Sequence, residues 1–201
     1  AHLRLIAVFN RAVSEGVRPF VSIRSARAGE LGQLQEIERR AAHMFRPFGC
    51  AELYARSLTG LEALRKGRAQ RRLFVAADAR DRPIGFALTE PSGRSAWLAE
   101  VDVLPSRTGR GVGTSLVRCS IEWACEAGVD RMLLSTMRRP RWNAPFYARF
   151  GFREVPAAQW GPELRAARGQ EARRGFPMGE RLIMQLDLTG VQRVGAFKRR
   201  S

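Results

Sequence analysis

The segment RTGRGVG, residues 107–113, follows a short hydrophobic run ending at Pro105 and opens a long amphipathic stretch. Three glycines alternating with larger residues let a backbone curl tightly and turn successive N–H groups towards one point, a concavity suited to phosphate oxygens. A tight strand-to-helix connection would explain one or two of these glycines. Three of them, with Arg110 interposed at a helix N-terminus, favour an anion. Just upstream, SAWLAEVDVL alternates as a strand, with Trp97, Ala99, Val101 and Val103 on one face and Leu98, Glu100 and Asp102 on the other. This alternation sets two carboxylates side by side. Two common phosphate sites are excluded. A P-loop needs a Lys after its last glycine, and Thr114 follows Gly113 directly. The dinucleotide fingerprint needs glycine at position 114 or 116, which are Thr114 and Leu116, and no ribose-reading acid ends a following strand.

The elements that must hold these residues alternate between strand and helix. FVSIRSA reads as a strand, and AGELGQLQEIERRAAHMF carries Leu31, Leu34, Ile37 and Ala41 at helical spacing. A second helix is expected from about Ala51 to Leu64. RRLFVAAD and RPIGFALTE read as an antiparallel hairpin turning at Ala79 to Pro83. After the glycine turn, Leu116, Val117, Ile121, Ala124 and Cys125 form one helical stripe and Arg118, Glu122 and Glu126 another, with Gly128 as C-cap. DRMLLST is a buried strand, WNAPFYARFG a short helix closed by Gly151, and FREV and RLIMQLDL are late strands separated by a polar excursion from Pro156 to Gly179.

At 201 residues, 45% hydrophobic and 27% charged, the chain suits one globular domain, expected over residues 21–189, with an N-terminal extension at 1–20 and a basic tail at 190–201. No apolar run approaches a bilayer span. The opening residues carry Arg4 and no long apolar stretch, so neither signal peptide nor membrane anchor is expected. Cys50, Cys119 and Cys125 form no CxxC pair and are odd in number, which fits a reducing cytoplasm. With two histidines, no metal site is expected, and His43 reads as packed or exposed at a helix end. The net charge of +16 is nearly all arginine. Half of it lies at the ends, in five arginines against Glu15 over residues 1–29 and in Arg193, Lys198, Arg199 and Arg200. Such ends can hold nucleic acid without specificity. The body has no helix-turn-helix spacing, zinc finger or RNA-reading aromatic signature, so nucleic acid is not the expected partner. A homodimer is left open.

At these residues the chain resembles a family. VDVLPSRTGRGVGTSLV is similar to motif A of the GNAT superfamily of acetyl-CoA-dependent N-acetyltransferases, and RWNAPFYARFGFREV to the motif that follows it. The resemblance spans roughly residues 21 to 189. The family pattern, Gln/Arg-x-x-Gly-x-Gly/Ala, falls on Thr108, Gly109, Arg110, Gly111, Val112 and Gly113. Thr108 stands at its first position and Arg107 lies one residue earlier, a departure that affects one side-chain contact to the pyrophosphate.

The resemblance implies an α/β GNAT acyltransferase fold, a mixed, mostly antiparallel sheet of six to seven strands flanked by helices and splayed between the fourth and fifth strands. It implies that backbone N–H groups from about Arg110 to Thr114 hold the pyrophosphate of coenzyme A at the positive end of the helix dipole. The pantetheine arm would pair with backbone groups of about Val101 to Val103. Tyr147 matches the position the family uses as general acid, and Asn143 one that hydrogen-bonds the cofactor arm or an ordered water. Arg138, Arg139 and Arg141 either reach the adenosine 3′-phosphate or form a solvated loop.

A primary amine with a solution pKa near ~10 is mostly protonated at neutral pH and must lose a proton before it attacks a thioester. Glu100 is the first choice of base and Asp102 the second; both also read as solvated or paired acids. The expected reaction is acetyl transfer from acetyl-CoA to a small-molecule amine, an aminoglycoside-type amino sugar or polyamine. A polycationic acceptor needs local negative charge, from Glu90, Glu100 and Asp102, with Glu38 or Glu52 from flanking helices. A peptide or protein N-acetyltransferase and a non-catalytic CoA-binding regulatory module are the alternatives.

Overall fold

The computed structural model describes residues 21–190. The expected extension at 1–20 and the basic tail beyond Gly190 lie outside these residues. Seven strands form one sheet: β1 (Ser22–Ser25), β2 (Leu73–Ala77), β3 (Pro83–Ser92), β4 (Ser95–Val103), β5 (Arg131–Met137), β6 (Arg153–Glu154) and β7 (Arg181–Asp187), in the order β1-β2-β3-β4-β5-β7-β6. All neighbours run antiparallel except β4 and β5. Six α-helices flank the sheet: α1 (Leu31–Ala42), α2 (Ala51–Arg56), α3 (Leu61–Ala69), α4 (Val112–Glu126), α5 (Ala144–Ala148) and α6 (Pro162–Arg173).

Strand alternation sorts the core into two layers. Leu73, Val75, Phe86 and Leu88 face Leu31, Leu34 and Ile37 of α1 and Leu64 of α3. Phe74, Ala76, Ala87, Ala96 and Leu98 face Val112, Leu116, Val117 and Ala124 of α4. Burying these large apolar side chains contributes about 1.5–3 kcal/mol each, and a one-residue slip would turn every one of them onto the opposite face, against the wrong helices.

The fourth strand breaks that alternation. Leu88 pairs with Glu100 but Thr89 pairs with Leu98, so Ala99 is an extra residue on β4, a β-bulge. The bulge corrects the two faces expected from strict alternation. Leu98 packs with Val101 and Val103 on the α4 side, whereas Trp97 joins Leu133, Ile183 and Leu164 on the opposite side. Glu100 and Asp102 pair with Leu88 and Phe86 and so face α1. The pairing of β4 with β5 ends at Trp97 and Leu133. Beyond that point the two strands diverge, as the splay between fourth and fifth strands requires.

Two helical readings change. The stretch from Ala51 to Leu64 is not one helix: α2 ends at Arg56 and α3 begins at Leu61, with Gly60 extended at its N-cap (φ −64°, ψ 144°). The Thr59 N–H and hydroxyl are instead spent on Glu38 of α1. The polar excursion after Pro156 contains α6, which starts with Pro162 at its first position and buries only Leu164. With one buried apolar residue it has no periodicity to read.

Gly85 shows how tightly the gap region is packed. A Cβ there would lie 2.8 Å from the backbone oxygen of Asp102 and 3.3 Å from Leu116 Cδ1. Gly85→Ala must therefore displace β4 or α4, and urea denaturation is expected to show a loss of about 1–3 kcal/mol.

Candidate active site

The glycine turn ends in two left-handed glycines, Gly109 (φ 73°) and Gly111 (φ 81°), and Gly111 is the N-cap of α4. This conformation is strained for any residue with a Cβ. No side chain caps the helix, and its first intrahelical bond runs from the Ser115 N–H to the Gly111 oxygen at 3.0 Å. The N–H groups of Val112, Gly113 and Thr114 therefore have no acceptor within the helix, and they point out of its positive end. Thr108 donates its hydroxyl to the Pro105 oxygen at 2.9 Å, a contact that shapes the turn. Beside it runs a groove of about 720 Å³ lined by Asp78, Arg80, Arg82, Arg107, Arg110 and Gly111, in which Arg82 is paired with Asp78 at 2.8 Å. Gly113 packs differently, since its Cβ position faces the Phe146 ring at 3.5 Å.

At the other side of the β4 bulge, the carboxylates of Glu38, Glu100 and Asp102 come together, with one oxygen of each within 4.8 Å of the others. Glu38 reaches them because position 38 falls on the same α1 stripe as Leu31, Leu34 and Ala41, which faces the sheet. One of its oxygens accepts the Thr59 N–H (2.8 Å) and hydroxyl (3.1 Å), donors supplied by the break between α2 and α3. Its other oxygen, and Oδ2 of Asp102, are buried without a hydrogen-bond partner.

Burial, then the neighbouring Glu100 charge, pushes Glu38 up to about 8. Burial raises Asp102 well above the usual carboxylate range, with the charges of Glu100 and Glu38 adding to it. Glu100 is also raised by burial, but Arg181, the Val101 N–H and a hydrogen bond from Asp102 oppose the rise. Asp102 is thus the member that holds a proton, and Glu100 the member best able to ionise.

Arg181 of β7 is the buried cation facing this group. Its guanidinium donates to Glu171 of α6 at 2.6 Å and 3.0 Å, to the Ser135 oxygen at 3.2 Å, and to the Tyr54 hydroxyl. It stacks 4.7 Å from the Phe176 ring centre. Tyr54 lies flat on Phe45, with ring centres 4.1 Å apart. Tyr147, half-buried on α5, is raised by burial and by the nearby Glu100 and Asp102 charges, so its phenol keeps its proton at neutral pH. Asn143, buried before α5, donates its amide to Thr136 Oγ1 at 2.7 Å, which leaves its carbonyl oxygen available.

Residues far apart in sequence meet here: the Cβ position of Gly113 at the start of α4 faces Val103 (3.8 Å) and Phe146 (3.5 Å), and Tyr147 of α5 lies within the field of Glu100 and Asp102. Glu90 and Glu52 stay apart from the carboxylate group, and Glu38 joins it. Of the three loop arginines, Arg138 pairs with Glu154 (2.7 Å) and Arg139 with Glu180 (2.6 Å), so neither is a ready phosphate ligand. His43 is exposed at the end of α1. Sequence reasoning passed over Arg181, Glu171 and Tyr54. Glu38 had a legible signal, an acid on an otherwise apolar helical stripe. A second groove, lined by Ser95, Asp130, Arg131 and Glu163 near the start of β5, holds charges that are already paired. Among the described residues no helix is long and apolar enough to cross a membrane.

Residues 69–154 match the family model of the acetyltransferase (GNAT) domain. The fold is shared with the PaiA N-acetyltransferase of Thermoplasma acidophilum in complex with coenzyme A, at 17% identity and a TM-score of 0.60, over 83% of this chain and 98% of that one. It is shared with the ribosomal-protein-S18-alanine N-acetyltransferase of Escherichia coli at 19% identity and TM-score 0.59, over 88% and 99% of the two chains. The N-acetylglutamate synthase of Neisseria gonorrhoeae, complexed with coenzyme A and N-acetyl-glutamate, aligns at 18% identity and TM-score 0.62, over 86% of this chain and 36% of that one.

The raised Glu38 has a consequence for stability. Its folded value of about 8 lies above the ordinary 4.5, so the folded state binds the extra proton, and stability is lost as pH rises between those values. Denaturation at pH 5.5 and 8.5 is expected to show a less stable protein at 8.5, and Glu38→Gln is expected to shrink that difference.

Proposed function

We propose that this chain, built around an acetyltransferase (GNAT) domain over residues 69–154, moves the acetyl group of acetyl-CoA to a primary amine of a small molecule. The observation that carries this reading is the conjunction at the gap: an uncapped α4 N-terminus behind Gly111, at the end of a strand that has left its neighbour, beside Glu100. The donor set fits coenzyme A. Free backbone N–H groups and the neighbouring arginines suit a pyrophosphate, and the unpaired edge of Val101 to Val103 suits an amide-bearing arm.

In this reading Glu100 takes a proton from the acceptor ammonium, directly or through water. The freed nitrogen attacks the thioester carbonyl, a C–N bond forms, and the C–S bond breaks. The leaving sulfur takes the phenol hydrogen of Tyr147, so nitrogen gives up two protons in all: the first goes to Glu100, and the second, lost from the attacked nitrogen as the amide forms, restores the Tyr147 phenol through water. Backbone N–H groups of β4 are positioned to receive the carbonyl oxygen as it gains charge. Asn143 supports the cofactor arm through its free carbonyl oxygen. The buried acids favour a cationic acceptor, an amino sugar or a polyamine, at short range. Long-range repulsion from the +16 chain is screened beyond about 8 Å at physiological salt.

Gly111→Val forces a β-branched residue to φ 81° at the N-cap, where nothing else crowds it. Calorimetry on folded protein is expected to show coenzyme A binding weakened at least tenfold, and unchanged affinity would remove the cradle from the reading. The acceptor is tested by turnover of acetyl-CoA with amino sugars, polyamines, amino acids and basic peptides side by side. Small amines are expected to be acetylated, with Glu100→Gln lowering kcat/KM and leaving a residual rate that rises with pH, while Tyr147→Phe lowers kcat more than coenzyme affinity. Transfer to peptides alone would overturn the small-amine acceptor, and tight coenzyme binding without transfer would point to the regulatory module.

A further inference from the structure

The third acid of the gap comes from outside both sequence motifs. Glu38 belongs to α1, is 7% exposed and leaves Oε2 buried without a partner, as Asp102 leaves Oδ2, and one carboxyl oxygen of Glu38 lies within 4.8 Å of one from each of Glu100 and Asp102. Glu38 Oε1 is fixed by both donors of Thr59, so the direction of Oε2 is set by the break between α2 and α3. Three points that all lie within 4.8 Å of one another share a centre no more than about 2.8 Å from each, which is the length of a charge-assisted N–H···O bond.

We propose that Glu38, Glu100 and Asp102 form a tripod that seats the primary ammonium of the acceptor, one N–H to each carboxyl group, with Glu38 as the residue that sets specificity for primary over substituted amines. This rests on the reading that the acceptor is an amine. The nearby cations do not do the same work. Arg181 is held by Glu171 at 2.6 Å, and Arg174 donates to the Ser57 oxygen at 2.8 Å and lies over Phe176. Tyr54 and Tyr147 face the group as neutral phenols, raised by burial. The carboxyl groups therefore face a shortage of cationic donors that a three-donor ammonium supplies. When Glu100 then removes a proton, the ammonium becomes a neutral amine, Glu100 becomes a carboxylic acid, and Glu38 and Asp102 keep the nitrogen in place. The stacked Phe45 and Tyr54, continued by Trp142, supply an apolar wall for the carbon chain behind it.

The test measures binding, apart from transfer. Wild-type protein saturated with coenzyme A is titrated calorimetrically at pH 7, in a buffer free of primary amines, with n-butylamine, N-methylbutylamine and N,N-dimethylbutylamine. Affinity is expected to fall at least tenfold from the primary to the tertiary amine. Glu38→Gln, which keeps the shape and the Thr59 contacts, is expected to weaken n-butylamine at least tenfold and to flatten the series, with coenzyme A affinity within twofold of wild type. Glu38→Asp, which keeps the carboxyl group but withdraws the oxygen, is expected to do the same. No discrimination by the wild type, undiminished n-butylamine binding in both variants, or displacement of the amine by micromolar magnesium or calcium would each overturn the proposal. If the binding series holds while no amine is acetylated, the tripod stands and the acetyl-transfer reading falls.

Discussion

The structure depends on one local irregularity, the extra residue Ala99 in β4. A bulge strengthens the twist of its strand and shifts the side-chain alternation by one position. Here both effects are used. The shift turns Glu100 and Asp102 towards α1 while Val101 and Val103 stay on the α4 core, so the acids meet Glu38 without costing β4 its hydrophobic anchorage. Past the bulge, β4 no longer pairs with β5, and its edge from Val101 to Val103 borders a gap. An unpaired edge inside a sheet is expensive unless something else satisfies its N–H and C=O groups, which is why the gap and the ligand reading belong together.

Electrostatics divides the gap into two ends of opposite character. At the α4 end the helix dipole, the uncapped N–H groups and the arginines of the neighbouring groove favour an anion. At the α1 end three acids share a small volume, Glu38 buried and Glu100 and Asp102 half-buried, and burial resists their ionisation. A transfer reaction between an anionic donor and a cationic acceptor needs such a division, because each substrate then finds only one end favourable. Arg181 keeps the balance between them. Its pair with Glu171 neutralises it locally and anchors β7 to α6, while its remaining charge lowers the cost of ionising Glu100.

Much of this was legible before folding was considered. The order of strands and helices, the hairpin at Ala79 to Pro83 and the N-terminal role of Gly111 follow from local patterns that operate over a few residues: apolar period, turn chemistry and the freedom of glycine, whereas the splay is implied by the family resemblance. Glu100 and Asp102 stand out through the alternation of one strand, and Asn143 and Tyr147 through their places in a short motif that resembles the family's. The readings that changed involve weak or interrupted periodicity. The break at Ser57 to Gly60 and the nearly all-polar α6 leave little apolar pattern behind, and the bulge at Ala99 is a residue like its neighbours by type.

The sequence by itself determined the alternation of strands and helices, the tight glycine turn that opens α4 and the presence of two acids shortly before it, because each rests on patterns among residues close in the chain. Tertiary structure alone decided which faces those acids occupy, that Glu38 from sixty residues earlier in the chain completes their group, and that Arg181 and Tyr54 border it. These outcomes depend on where β4 bulges and on how α1 packs across the sheet, and such long-range packing is set by the sum of burial over the whole core. The same packing engages Arg138 and Arg139 with Glu154 and Glu180, whereas in sequence they stand as a free basic run.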